Sequence, residues 1–267
     1  KLKKFFFNYW LILLLGLTFF LRLPSLFEPF TYGDEGIYLT LGQALRKGLV
    51  FYRDIHDNKP PLLYLLAALA GNFTYYRLIL FAWSLATIFV FFRLASLLFP
   101  KRKLAVIVPT ALFASLTLLH TFEGNVGNAE NFMLLPTMTG FYLFSKNNLK
   151  KISWRLWLSI GSLFSLATLF KIPAAFDFAA LMVLILLTSK KINRPLLKNC
   201  LLLLTGFLLP ILLSLVYYTA KKALPQYLSA AFFQNIPYLS SWIAAGKSQI
   251  LGLPLLLMSR TAFLLAI

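Results

Sequence analysis

GDEGIYLTLGQALRKGLVFYRDIHDNKPP, residues 33–61, is the stretch from which the rest of the chain can be read. The sequence holds eight Asp and Glu residues in all, and Asp34, Glu35, Asp54 and Asp57 fall within these few turns. His56, one of two histidines, is here too, close to Lys59. Nearly everything around the stretch is apolar helix or short basic connector. An oily chain that gathers its carboxylates in one extramembrane loop has a chemical use for them.

Composition fixes the class. The chain of 267 residues is 60% hydrophobic and 13% charged, with a mean hydropathy of +0.77. That is too apolar for a soluble domain of this length. Several runs approach the ~20 residues that carry a helix across a ~30 Å hydrocarbon layer. Period-two alternation is absent, so a membrane β-barrel is not expected. The expectation is an all-α polytopic membrane protein.

A formal net charge of +18 would suggest nucleic acid in a soluble protein. Here the basic residues sit between apolar runs, the pattern of cytoplasmic loops facing anionic lipid. No basic domain with interleaved aromatics is present, and no nucleic-acid partner is expected. Cys200 stands alone in an apolar run, which excludes a disulfide framework or thiolate metal site and leaves it a packing residue. The chain starts at Lys1 rather than Met and stops at Ile267 within TAFLLAI, so residues 1–267 are expected to be the N-terminal part of a longer membrane domain.

Lys1, Lys3 and Lys4 place the N-terminus in the cytoplasm, followed by a first crossing at about 5–23 that Pro24 ends. Residues 24–75 form a first outer loop with helices at the membrane surface. One runs from Glu35 to Lys47 with Ile37, Leu41, Ala44 and Leu45 on its apolar side, and a second covers LLYLLAALAG. Further crossings are expected at 75–99, 104–122, 131–145, 156–170, 172–189 and 199–220. A second outer loop spans 122–130 and a third spans 221–248, with Tyr227, Phe232, Phe233 and Trp242. An eighth helix begins near Gln249. Threaded so, most Lys and Arg are cytoplasmic, and every carboxylate lies on the outer side or in the outer half of a helix. Membrane insertion does not require that second asymmetry.

Asp34 and Glu35 follow Gly33 at a helix start, where carboxylates meet unpaired N–H groups and the positive end of the helix dipole. The same pair can serve as a general base, or hold a divalent metal ion with Asp34 and Glu130 as ligands. Lys59, before Pro60-Pro61, can set an ammonium against a phosphate at headgroup depth, or simply snorkel. His56 is a further acid/base or ligand candidate, though a lone loop histidine is more often neither. Glu123 and Glu130 flank the second outer loop. Asp177 lies about two turns into an apolar helix, which calls for a partner such as Lys171. Arg260 in the last apolar segment can bind a phosphate.

The order of these elements resembles the GT-C glycosyltransferases, in particular the superfamily of protein O-mannosyltransferases and lipid A aminoarabinose transferases. The likeness covers roughly residues 5–190 and is carried by GDE at 33–35 and NKPPLLY at 58–64. It implies a bundle of about eight transmembrane helices in this chain and a plasma-membrane location with the active site outside. It also implies inverting transfer of a sugar from a polyprenyl-phosphate carrier to a glycan, lipid or protein acceptor. By resemblance Asp34 is the catalytic carboxylate with Glu35 beside it, and Lys59 contacts the carrier phosphate. His56 and Asp57 flank that contact, Glu130 takes the acidic position of the second loop, and Lys171 in LFKIP matches a helix-end lysine. Where many members have an acid directly before Lys-Pro, this chain has Asn58, with Asp57 one residue earlier. Two other classes fit an apolar chain. A transporter or flippase would show midplane polar groups and internal repeats, and a non-catalytic assembly protein would use the acidic loop only as a solvated cap.

Overall fold

The computed structural model describes residues 2–27, 33–147, 152–189 and 193–234. All regular structure among them is helical, apart from one isolated bridge between Phe51 and Ile55. The helices are α1 (Leu2–Arg22), α2 (Gly33–Arg46), α3 (Leu62–Ala70), α4 (Phe73–Leu98), α5 (Leu104–Leu116) and α6 (Ala129–Lys146). They continue with α7 (Trp154–Phe170), α8 (Ala174–Thr188), α9 (Arg194–Ala220) and the short α10 (Leu224–Leu228), which runs into a π-turn at Ser229–Phe233. Three segments are long and apolar enough to cross a membrane: Tyr9–Leu26, Phe73–Leu98 and Arg194–Ala220. Helices α5, α7 and α8 are apolar but shorter. The chain is a helical membrane protein.

Local chemistry sets the helix ends. The Asn72, Asn128, Ser153 and Asn193 side chains accept the N–H groups of Tyr75, Asn131, Leu156 and Leu196, so α4, α6, α7 and α9 each begin with an N-cap. Helix α3 stops at Gly71, whose φ of +73° suits a residue without a side chain. Helices α7 and α9 cross at Gly161 and Gly206. A Cβ on Gly161 would run into the Leu203 carbonyl, and one on Gly206 into the Leu158 carbonyl. Small residues at such a crossing let two backbones approach within van der Waals range, which is how helices pack without a hydrophobic driving force.

One end of the bundle collects the loops. Arg22, at the end of α1, is 2% exposed and donates to the carbonyls of Thr117 (2.7 Å) and Gly124 (2.8 Å). Those carbonyls lie beyond the end of α5, which stops at Leu116 instead of reaching the expected 122. The difference has a physical reason: the chain folds back so closely that a Cβ on Gly124 would sit 2.6 Å from the Leu116 carbonyl, and Arg22 satisfies the freed oxygens. Arg53 donates to the Lys221 carbonyl (3.0 Å), bringing the end of α9 to the same place.

Helix α2 packs differently from the expected surface helix. Glu35, Tyr38, Leu39 and Gly42 are buried, whereas Ile37 is 48% exposed. Helix α3 supplies the partner. A Cβ on Gly42 would lie 2.6 Å from the Ala68 amide nitrogen, so α2 and α3 form a tight pair, and α3 claims a face that composition alone did not mark. The expected eighth helix, Trp242 and Arg260 lie outside the described residues.

Candidate functional site

Asp34 stands in the first turn of α2, and its Oδ2 accepts two bonds. Tyr38, one helical turn on, donates its hydroxyl at 2.9 Å, and Lys59 donates Nζ at 3.3 Å. The Lys59 ammonium also lies over the Tyr38 ring, 4.9 Å from its centroid. Asp34 keeps 42% of its side-chain exposure and Lys59 26%, so the pair is open to a ligand. Burial, with the Asp34 charge next to it, pushes the Tyr38 hydroxyl far above its ordinary range. Tyr38 therefore remains a donor at any physiological pH.

Lys59 is placed by the loop before α3. Its carbonyl accepts the Tyr52 hydroxyl at 2.6 Å. Tyr52 has a φ of +69° and is packed against both Tyr218 of α9 and Tyr227 of α10, each with its ring centroid 5.1 Å away. Asp57 braces the same loop: its Oδ1 accepts the Asn58 N–H (2.7 Å) and its Oδ2 the Tyr64 hydroxyl (2.6 Å). His56 is exposed, and its Nε2 lies 3.2 Å from Oε1 of Gln234. Neither is bonded to Asp34.

Glu35 turns the other way. It is fully buried, with Oε1 accepting the Gly127 N–H at 2.6 Å and Oε2 lying 3.6 Å from Nη2 of Arg77. Arg77 in turn donates to the Ser25 carbonyl (2.7 Å) and covers the Phe73 ring. Tyr76 donates to the Gly127 carbonyl (2.7 Å). A side chain at position 127 would strike the Tyr76 ring and crowd Glu35, so only glycine fits there. The second expected catalytic carboxylate is thus the buried joint between α2, the start of α4 and the loop before α6.

That joint also fixes Glu130 at the same end as Asp34, because Gly127 lies just ahead of α6. Glu130 pairs with Lys171, where α7 ends. The partner expected for Lys171 was Asp177, which instead lies in the first turn of α8 near its positive dipole end. An open apolar groove of about 360 Å³ runs between α4, α6 and α7. It is lined by Trp83, Leu135, Thr139, Leu163 and Phe170, with Leu62 at its edge. Phe170 directly precedes Lys171, and Leu62 follows Lys59-Pro60-Pro61.

For a divalent ion the donor set does not fit. Among the described residues no three His, Cys, Asp or Glu side chains converge, and both carboxylates considered as ligands, Asp34 and Glu130, face lysines.

Sequence reasoning missed Tyr38, Arg22 and Arg77. Tyr38 carried a signal in its spacing of one turn from Asp34. The two arginines, at the edges of apolar runs, announced buried partners by their cost in that setting. Comparison of the chain with protein-family models, with characterised proteins and with solved structures finds no match.

Proposed function

We propose that the protein is a membrane glycosyltransferase that moves a sugar from a polyprenyl-phosphate carrier to an acceptor hydroxyl of a glycan, lipid or protein. The observation that carries this assignment is the partly exposed Asp34–Lys59 pair, 3.3 Å apart, on a chain whose Leu62, three positions after Lys59, lines an apolar groove. A lipid-linked donor needs these two features side by side: a tail channel, and a cation where its phosphate emerges.

Both bonds to Asp34 fall on Oδ2, which leaves Oδ1 for the acceptor. The acceptor hydroxyl gives its proton to Oδ1 while its oxygen attacks the anomeric carbon. The bond from that carbon to the carrier phosphate breaks, the configuration inverts, and the electron pair leaves with the phosphate. Lys59 stabilises the charge that develops there. Glu130 and Lys171 hold the substrate from the other side of the groove mouth. Glu35 acts through Asp34, by fixing the helix that carries it. In its native setting the chain forms a GT-C-type bundle of about eight crossings in the plasma membrane, N-terminus in the cytoplasm and loop end outside.

The test supplies the purified full-length protein in nanodiscs with a panel of polyprenyl-phosphate sugars and measures released polyprenyl phosphate. Release by the wild type, and its loss in Asp34→Asn with insertion intact, is the expected result. Near-normal turnover in that variant would remove Asp34 as the base. No release from any carrier would remove the assignment.

A further inference from the structure

A second groove lies on another face of the loop end, away from the Asp34 pair. It has a volume of about 550 Å³ and is walled by Leu69 and Ala70 of α3 and by Tyr75, Leu78, Ile79 and Ala82 of α4, with Arg46 at its head. Its walls face outward: Leu69 is 77% exposed, Tyr75 59% and Leu78 40%. Because α4 is long and apolar enough to cross a membrane, this groove lies where lipid chains run.

Arg46 is the last residue of α2, and its guanidinium rests on the backbone of Gly71, at the turn from α3 into α4. Any side chain at position 71 would displace it. Arg46 is therefore directed to the head of the groove, with exposed Lys47 beside it. The acids of this end are committed elsewhere: Asp34 to Lys59, Glu35 to Arg77, Asp54 to Arg53 and Glu130 to Lys171. Among the described residues no carboxylate comes within ion-pair distance of Arg46. A guanidinium packed on a backbone turn, beside an apolar channel, matches a lipid with an anionic head. The planar fork of Arg donates to two phosphate oxygens at once, and the acyl chain lies over Leu69, Leu78 and Ala82.

We infer that this groove binds one anionic glycerophospholipid of the surrounding bilayer, its phosphate on Arg46 and one acyl chain along α4. This inference is independent of the sugar-transfer assignment, since neither Arg46 nor the groove belongs to the Asp34 site.

The experiment places the full-length protein in nanodiscs of phosphatidylcholine doped with phosphatidylglycerol carrying a photoactivatable diazirine on one acyl chain, and maps crosslinks by mass spectrometry. Labelling is expected to concentrate on Leu69, Leu78 and Ala82. It should drop about tenfold in Arg46→Ala, the factor carried by a charge-assisted hydrogen bond of ordinary strength. Ala82→Phe, which fills the groove without touching the charge, should also displace the label. The inference is overturned if Arg46→Ala labels like the wild type, or if diazirine-phosphatidylcholine labels these positions equally well. It is likewise overturned if millimolar glycerol phosphate removes the label, because the site would then be one for free phosphate. Absence of label from both lipids in the wild type would mean that protein covers the groove, with the same consequence.

Discussion

Two neighbouring carboxylates on one helix meet opposite fates. Asp34 and Glu35 share the first turn of α2, yet the Asp34 side chain keeps 42% of its exposure and the Glu35 side chain 1%. Successive helical positions point about 100° apart, so one looks out toward Lys59 and the other in toward Arg77. An exposed pair in high dielectric adds little to stability and stays free to exchange its partner for a ligand. A buried pair cannot exchange: taking away one member leaves a charge without solvent, at a cost of about 3–5 kcal/mol. Function and architecture are divided between adjacent residues.

The largest effect expected from that division is on stability. Glu35→Ala should lower the unfolding free energy by about 3–5 kcal/mol, read as a shift of thermal unfolding in detergent. Glu35→Ala with Arg77→Ala should cost less than the sum of the two single changes, because no lone charge remains. A full sum would mean the pair is not coupled. Asp34→Asn should do the reverse, leaving the unfolding midpoint nearly unchanged while cutting transfer by about 10²–10⁴-fold, the range for loss of a general base. Tyr38→Phe comes next. It removes one of the two donors to Asp34, worth about 1 kcal/mol, and should slow transfer several-fold with KM little changed.

Smaller still is Lys171→Ala, which opens a half-exposed pair. It should move stability by no more than about 1 kcal/mol, so a larger shift would show that the Glu130 pair is architectural after all. The smallest effect belongs to Asp54, on the turn before the site. The Arg53 guanidinium, and then the Val50 N–H, hold its carboxyl down to about 2. Its folded value lies below its unfolded one. The stabilisation is therefore complete above the ordinary aspartate range and is lost as pH falls from about 4 toward about 2. Loss of protection at the Val50 amide, measured against its intrinsic exchange rate, across that window and not above it is the expected sign.

Much of this molecule could be read from the order of its residues. Apolar runs and their Asn, Ser and Gly punctuation placed α4, α6, α7 and α9 to within a few positions, because a helix in lipid must satisfy its backbone by itself and its ends are marked by caps. That Asp34 and Lys59 share one site was expected from the crowding of charged residues in 33–61 and from the likeness carried by GDE and NKPPLLY, though not their direct contact. What could not be read was which face of α2 would be buried. Tyr38, Leu39 and Gly42 do not form an apolar stripe by composition; they became one because α3 packs closely over Gly42. Glu35 looked like a second catalytic acid because its partner, Arg77, comes from another helix and its other donor, Gly127, from a loop 92 positions away. Linear order holds no trace of such closures beyond the oddness of an arginine in an oily run. The lysine expected to answer Asp177 was taken by Glu130, a choice made by the packing of α6 on α7.

The stacked tyrosines at the end of α9 have a mechanical consequence. Tyr218 and Tyr227 lie with ring centroids 4.4 Å apart and together back Tyr52, whose hydroxyl donates to the carbonyl of Lys59. Arg53 is fastened to Lys221, 168 positions along the chain. A sideways shift of the last turn of α9 is thereby geared, ring to ring, to the seat of the Lys59 ammonium. Where that cation stands thus depends on a helix that supplies neither Asp34 nor Tyr38.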